Sequence, residues 1–122
     1  MTAIIGLSWS ESTLNPQVYC TACMTSIHRY SLQPDAKNRI VYAGPGGAGR
    51  TNTTVRLSYD EGKTWPVARM IHKGSVGGSD LTVMPDGTIG LLYSHGPAGW
   101  DQTSFVRFTL EWLTEGKDEP ST

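Results

Sequence analysis

Two cysteines, three histidines, scattered carboxylates and a few arginines carry the chemistry this sequence could do, and their spacing limits what that chemistry can be. Cys20 and Cys23 stand as Cys-x-x-Cys, the spacing of a redox dithiol or of half a zinc site. Zinc would need two further ligands, yet His28, His72 and His95 each stand alone. A thioredoxin-type pair would be followed by a helix, whereas residues 24–30 read as a strand. Two buried, unpaired thiols are therefore expected, with no metal and no cofactor. The run Gly44-Pro45-Gly46-Gly47-Ala48-Gly49 has the glycine density of a phosphate cradle. It lacks the closing Lys-Ser/Thr and any helical pattern after it, so it reads as a flexible surface loop. Asp80 and Asp101 fall in loops with no second carboxylate that spacing sets opposite them, and both read as solvated.

The most informative stretch is Ser58-Tyr59-Asp60-Glu61-Gly62-Lys63-Thr64-Trp65. Before it, Val55, Leu57 and Tyr59 alternate with Arg56 and Ser58, the period of a half-buried strand. After it, Val67 and Met70-Ile71 resume an apolar, extended character. Asp60 can accept backbone hydrogen bonds, Gly62 can supply a positive φ, and Trp65 can bury a large ring. The octet reads as a self-locking hairpin turn, and Gly6-Leu7-Ser8-Trp9 repeats its second half.

These residues must be positioned by a chain of 122 residues with 14 glycines and 7 prolines. It has no long stretch of helical period, which indicates an all-β chain of short strands. Ten basic against 11 acidic side chains leave a net charge of −1, and no basic run interleaves with aromatics, so nucleic acid is not the expected partner. No apolar run approaches the length of a membrane span, and no secretory leader is evident. Expected strands cover 4–11, 24–31, 40–43, 52–59, 64–72, 81–84, 88–94 and 104–113. Glycine-rich 74–78 reads as a loop, and 114–122 as a frayed polar tail. Grouped as domains, these give an outer strand of a preceding blade at 1–11, a complete blade at 24–72, an incomplete blade at 79–113 and a flexible tail at 114–122.

Ser-x-Asp-x-Gly-x-Thr-Trp is the Asp box (BNR repeat) pattern of sialidases and related propellers, and all five signature positions are filled. From about residue 25 to 113 the chain resembles the C-terminal part of the six-bladed catalytic propeller of exo-α-sialidases (neuraminidases). The carrying segments are 50–58 ahead of the box, Thr64-Trp65-Pro66-Val67, Ser79-Asp80-Leu81, 85–93 and 107–112. The resemblance implies an all-β, sialidase-type propeller fragment of about two blades, each a four-stranded antiparallel sheet. It places Arg50 on the last of three arginines that bind the substrate carboxylate, a role that suits a planar guanidinium fork. It places Gly78 where the family has its tyrosine nucleophile, and Ser94 where a glutamate supports an arginine of the triad; both functional residues are lost here. Arg56 and Arg107 lie within strands and read as structural. The activating glutamate, the acid/base aspartate and the other two arginines would belong to segments before Met1. His95, between Ser94 and Gly96, would be able to face a sugar, though a single loop histidine reads as solvated.

Two readings follow. In the first, the chain is a piece of a glycoside hydrolase that removes terminal sialic acid from glycoconjugates, inactive alone because most catalytic residues are missing. In the second, the parent is a non-catalytic propeller that binds sialoglycans or acts as a scaffold, which the losses at Gly78 and Ser94 favour. A small β-domain that binds a protein and uses the box only as a fold device is a third class. An extracellular or secreted parent fits the resemblance. Two blades leave edges open, so self-association as a trimer or swapped dimer is expected. The box turn should sit at the opposite end of its blade from Arg50 and Gly78.

Overall fold

A computed structural model describes residues 8–18 and 23–122. After a short 3₁₀ turn at Pro16–Val18, the chain forms six strands: β1 (Ser26–Ser31), β2 (Arg39–Pro45), β3 (Thr51–Ser58), β4 (Val67–Val83), β5 (Ile89–His95) and β6 (Gln102–Phe108). A single helical turn, α1 (Leu110–Leu113), follows. All neighbouring strands are antiparallel and pair in chain order. The chain is an all-β propeller fragment, as the sequence leads one to expect.

β4 decides the shape. Its first part pairs with β3, from Leu57↔Val67 to Thr51↔Ser75, and its second with β5, from Val76↔His95 to Val83↔Ile89. The sheet therefore turns a corner within one strand, and its two halves face each other. Residues 74–78, expected as a loop, lie inside β4. Gly74 takes φ +107 and donates its N–H to Asn52 Oδ1 at 2.9 Å, which lets the strand bend without breaking. Val41, Ala43, Val55 and Leu57 from one half meet Leu81, Ile89, Leu91 and Tyr93 from the other, closed by Phe108, Leu110 and Leu113. Alternate residues of each strand supply this core, which is why strand period was the informative signal.

The turn from Ser58 to Trp65 closes as its side chains allow. Ser58 Oγ donates to Asp60 Oδ1 at 2.8 Å and accepts the Gly62 N–H at 2.9 Å. Asp60 in turn accepts the Thr64 N–H at 2.8 Å and the Thr64 hydroxyl at 2.5 Å. Bonds from the Thr64 side chain and then its backbone pull the Asp60 carboxyl down to about 2. Glu61 and Gly62 occupy left-handed backbone at φ 62 and 89. Trp65 is buried and tilted against Tyr42, with ring centroids 5.7 Å apart. The segment before β1 docks here: Asn15 Nδ2 donates to the Gly62 and Lys63 carbonyls, and Gln17 Oε1 accepts the Trp65 N–H.

Four expectations need correction. The last strand stops at Phe108 because Thr109 caps a helical turn, its Oγ1 accepting the Trp112 N–H at 3.0 Å; Leu110 and Leu113 thereby both reach the core. The tail 114–122 packs instead of fraying: Asp118 lies 79 residues from Arg39 yet grips it with both oxygens, at 2.8 and 2.7 Å. The expected strand at 4–11 has no counterpart at residues 8–11, where Trp9 is 83% exposed; its earlier part, and the first half of the Gly6–Trp9 repeat, lie outside the described residues. Finally, Cys23 is disulfide-bonded and not a free thiol; Cys20 lies outside the described residues.

Candidate functional site

Arg50 closes the glycine-rich connection between β2 and β3, which is tightly built. The Gly46 N–H donates to the carbonyls of Thr51 and Asn52 at 3.1 and 2.7 Å, and Gly47 to Thr51 at 3.1 Å. A Cβ on Gly46 would lie 2.1 Å from Thr54 Oγ1, so only glycine fits. The Arg50 carbonyl then accepts the Val76 N–H at 2.9 Å. That bond fixes the backbone of Arg50 beside the bend of β4, immediately before Gly77 and Gly78.

The two glycines differ sterically. A Cβ on Gly77 would come within 2.4 Å of Ser94 Oγ and 2.5 Å of the Gly99 carbonyl oxygen. On Gly78 it would meet only Met24 Cβ, at an ordinary 3.5 Å. Gly77 is demanded by packing, whereas Gly78 leaves room for a side chain. Ser94, on β5, stands across from this pair.

Arg50, Gly78 and Ser94 line one open pocket of about 530 Å³, together with Gly77, Trp100 and the Cys23-Met24 pair. All three residues singled out in the sequence are thus brought together from three separate segments. Trp100 is 72% exposed and was missed by sequence reasoning; a large aromatic in the Gly-Pro-rich 96–100 loop was the available signal. No aspartate or glutamate lines this pocket among the described residues. Asp101 caps its own loop by accepting the Ala98 N–H at 2.7 Å, and Asp80 accepts a long 3.4 Å bond from Ser26 Oγ. His95 is turned to other partners. Its ring stands 4.5 Å from that of His72 and 5.2 Å from that of Tyr93, and its Nε2 is 2.7 Å from Ser104 Oγ. No group of three or more metal-ligating side chains occurs among the described residues.

The 58–65 turn lies at the far end of the blade from this pocket. Arg50 precedes β3 and Asp60 follows it, and an eight-residue strand separates them by roughly 26 Å.

No protein-family model matches the chain. A sialidase of Micromonospora viridifaciens is 44% identical over 64 residues, covering 52% of this chain and 9% of that protein. Among solved structures, the intramolecular trans-sialidase of Ruminococcus gnavus, in complex with oseltamivir carboxylate, superposes with TM-score 0.66 at 23% identity, over 87% of this chain and 26% of that one. The chain is sialidase-like. A leech intramolecular trans-sialidase complexed with 2,7-anhydro-Neu5Ac gives TM-score 0.61 at 23% identity, over 76% of this chain and 17% of that one. A Hadza microbial sialidase gives 0.60 at 26%, over 75% and 18%. This sialidase-like chain therefore spans about a tenth of the curated relative's length, and at most about a quarter of the solved ones.

Proposed function

We propose that this chain is a two-blade portion of a sialidase-type glycoside hydrolase whose pocket receives the carboxylate of a terminal sialic acid on Arg50. The carrying observation is the convergence of Arg50, Gly78 and Ser94 on one pocket, although the three lie far apart in sequence. The turn at 58–65 is then an Asp box (BNR repeat), a structural lock away from the chemistry. With glycine at position 78, that position supplies no phenol to serve as the nucleophile that sialidases use in place of a carboxylate. Among the described residues no carboxylate lines this pocket to activate water, so on this reading the chain alone binds without turnover.

A non-catalytic sialoglycan-binding propeller is the second reading, favoured by the open space at Gly78 and by serine at position 94. Saturation-transfer NMR with 3′-sialyllactose, alongside an aryl sialoside assay, tests both. Weak binding that falls in Arg50→Ala, without aryl alcohol release, is expected, since an exposed ion pair contributes only about 0–1 kcal/mol. Release that survives repurification and disappears in Arg50→Ala would refute the claim of inactivity, and absence of any transfer signal would refute the pocket assignment. Hydrolysis by a longer protein carrying the same two blades would select the first reading over the second.

A further inference from the structure

His72 and His95 stand alone in the sequence, yet the corner in β4 brings their rings together. His72 lies in the part of β4 that pairs with β3, opposite Thr53, and His95 ends β5, opposite Val76 in the other part. Each histidine thus belongs to a different half of the sheet. Their ring centroids are 4.5 Å apart, with 41° between the planes. The Tyr93 ring flanks both, 5.5 Å from His72 and 5.2 Å from His95. Tyr93 is itself buried in the core, so the two imidazoles rest on a fixed ring and lose little freedom by meeting a common ligand.

Ring packing accounts for the carbons of this cluster and leaves the nitrogens over. His95 Nε2 lies 2.7 Å from Ser104 Oγ. With the proton on Nε2 and donated to that oxygen, the lone pair of Nδ1 is left for another partner. No hydrogen bond within the described residues engages His95 Nδ1 or either nitrogen of His72. Trp65 Nε1 is the one buried side-chain nitrogen or oxygen without a partner among the described residues, so these imidazole nitrogens open to solvent. Two accessible imidazole lone pairs side by side make a chelate. A divalent ion about 2.0–2.1 Å from each nitrogen sets two neighbouring ring centroids roughly 4.5–5.3 Å apart for ligand angles of about 90–110°, and the observed separation falls in that range. The contact to Ser104 is of the kind that fixes the tautomer and orientation of a metal-bound imidazole.

We propose that His72 and His95 together bind one divalent transition-metal ion of the zinc class, with water in its remaining positions. No carboxylate or thiol joins the pair in a larger group among the described residues. Imidazole nitrogens on their own suit zinc, nickel or copper, whereas magnesium and calcium take oxygen ligands. The ion ties the half of the sheet that holds His72 to the half that holds His95, so its binding favours the folded chain. Neither histidine lines the pocket of Arg50, Gly78 and Ser94, and the site does not depend on the sialic-acid reading.

Isothermal titration calorimetry on the full chain, stripped with chelator and kept without reductant so that Cys23 stays in its disulfide, tests it with zinc chloride and magnesium chloride as probes. Half the ligands of a structural zinc site give roughly half its binding free energy, so one zinc ion should bind with a Kd of about 1–200 µM. Magnesium should give no binding. His72→Gln and His95→Gln should each weaken zinc binding at least about tenfold, and His28→Gln, on β1, should leave it unchanged. As a check independent of those variants, long-range 1H–15N spectra of the wild type should show the imidazoles of His72 and His95 shifting with zinc while His28 stays in place. No zinc binding up to about 1 mM, affinity that persists in both the His72 and His95 variants, or affinity lost in His28→Gln would each overturn the proposal. So would an equal response to magnesium, or imidazole shifts confined to His28.

Discussion

Replacing Asp118 by alanine should cost more stability than any other single change in the tail. Arg39 is fully buried, with side-chain exposure of 0% against 2% for Asp118. The Asp118 carboxylate accepts from Arg39 Nε and Nη2, from the Tyr59 hydroxyl at 2.7 Å and from Thr122 Oγ1 at 3.0 Å. Truncation would leave a buried guanidinium with only Ser31 Oγ, the Glu119 carbonyl and Thr122 Oγ1 as acceptors. Removing one partner of such a pair destabilises by about 3–5 kcal/mol, which for a chain of this length lowers Tm by roughly 12–20 °C. Burial alone would raise the Asp118 carboxyl, but the bonds from Arg39, Tyr59 and Thr122 outweigh it and hold it well below the usual carboxylate range. Because the folded value lies below the unfolded one, the contribution is complete above about pH 4 and is lost as pH falls toward the folded value. Thermal and urea melts followed by tryptophan fluorescence, from pH 7 down to about pH 2, should show wild type losing this increment in acid while Asp118→Ala lacks it throughout. A loss under about 1 kcal/mol at pH 7 would refute the reasoning, as would an acid dependence identical in both proteins. Recovery of most stability in Arg39→Met/Asp118→Leu would show that packing can replace the pair.

Gly77→Ala should destabilise by about 1–3 kcal/mol through overpacking against Ser94 and the Gly99 backbone, whereas Gly78→Ala should be nearly neutral; urea melts of the pair check the contrast. Trp65→Phe should cost far less than the about 3–5 kcal/mol of Trp65→Ala, because the buried indole Nε1 has no hydrogen-bond partner to lose. Asp60→Ala should speed amide exchange at Thr64, whose N–H it frees. The Asp60 contribution, with the carboxyl at about 2, should survive acidification to about pH 4 and fade below it; exchange at Thr64 that is unaffected by the substitution would exclude this role.

Candidate-site residues were legible to different degrees. Arg50, Gly78 and Ser94 could be singled out only through family order, since nothing in their own spacing joins them. Met24 and Trp100 join this pocket only because five stretches of chain converge on it, at 23–24, 50, 77–78, 94 and 100. His95, between Ser94 and Gly96, reads from the sequence as a solvated loop histidine that would be able to face a sugar. In the structure it is the last residue of β5 and meets His72 of β4, Tyr93 of β5 and Ser104 of β6.

The sequence by itself determined what short-range bonds and strand period can encode. Ser58, Asp60, Gly62 and Thr64 satisfy one another within a few residues, so their spacing is the structure of the turn. Val55 and Leu57 announce a buried face by alternation along one strand. Tertiary structure decided whatever depends on partners distant in the chain. Residues 74–78 carry the glycines of a loop, but the Arg50 carbonyl and Asn52 side chain hold them as part of β4. The period of β6 continues formally through Leu110 and Trp112, yet the Thr109 cap turns both Leu110 and Leu113 inward. Asp118 sits in a segment whose composition resembles a solvated tail, and only a fold that buries Arg39 next to it makes that carboxylate part of the core.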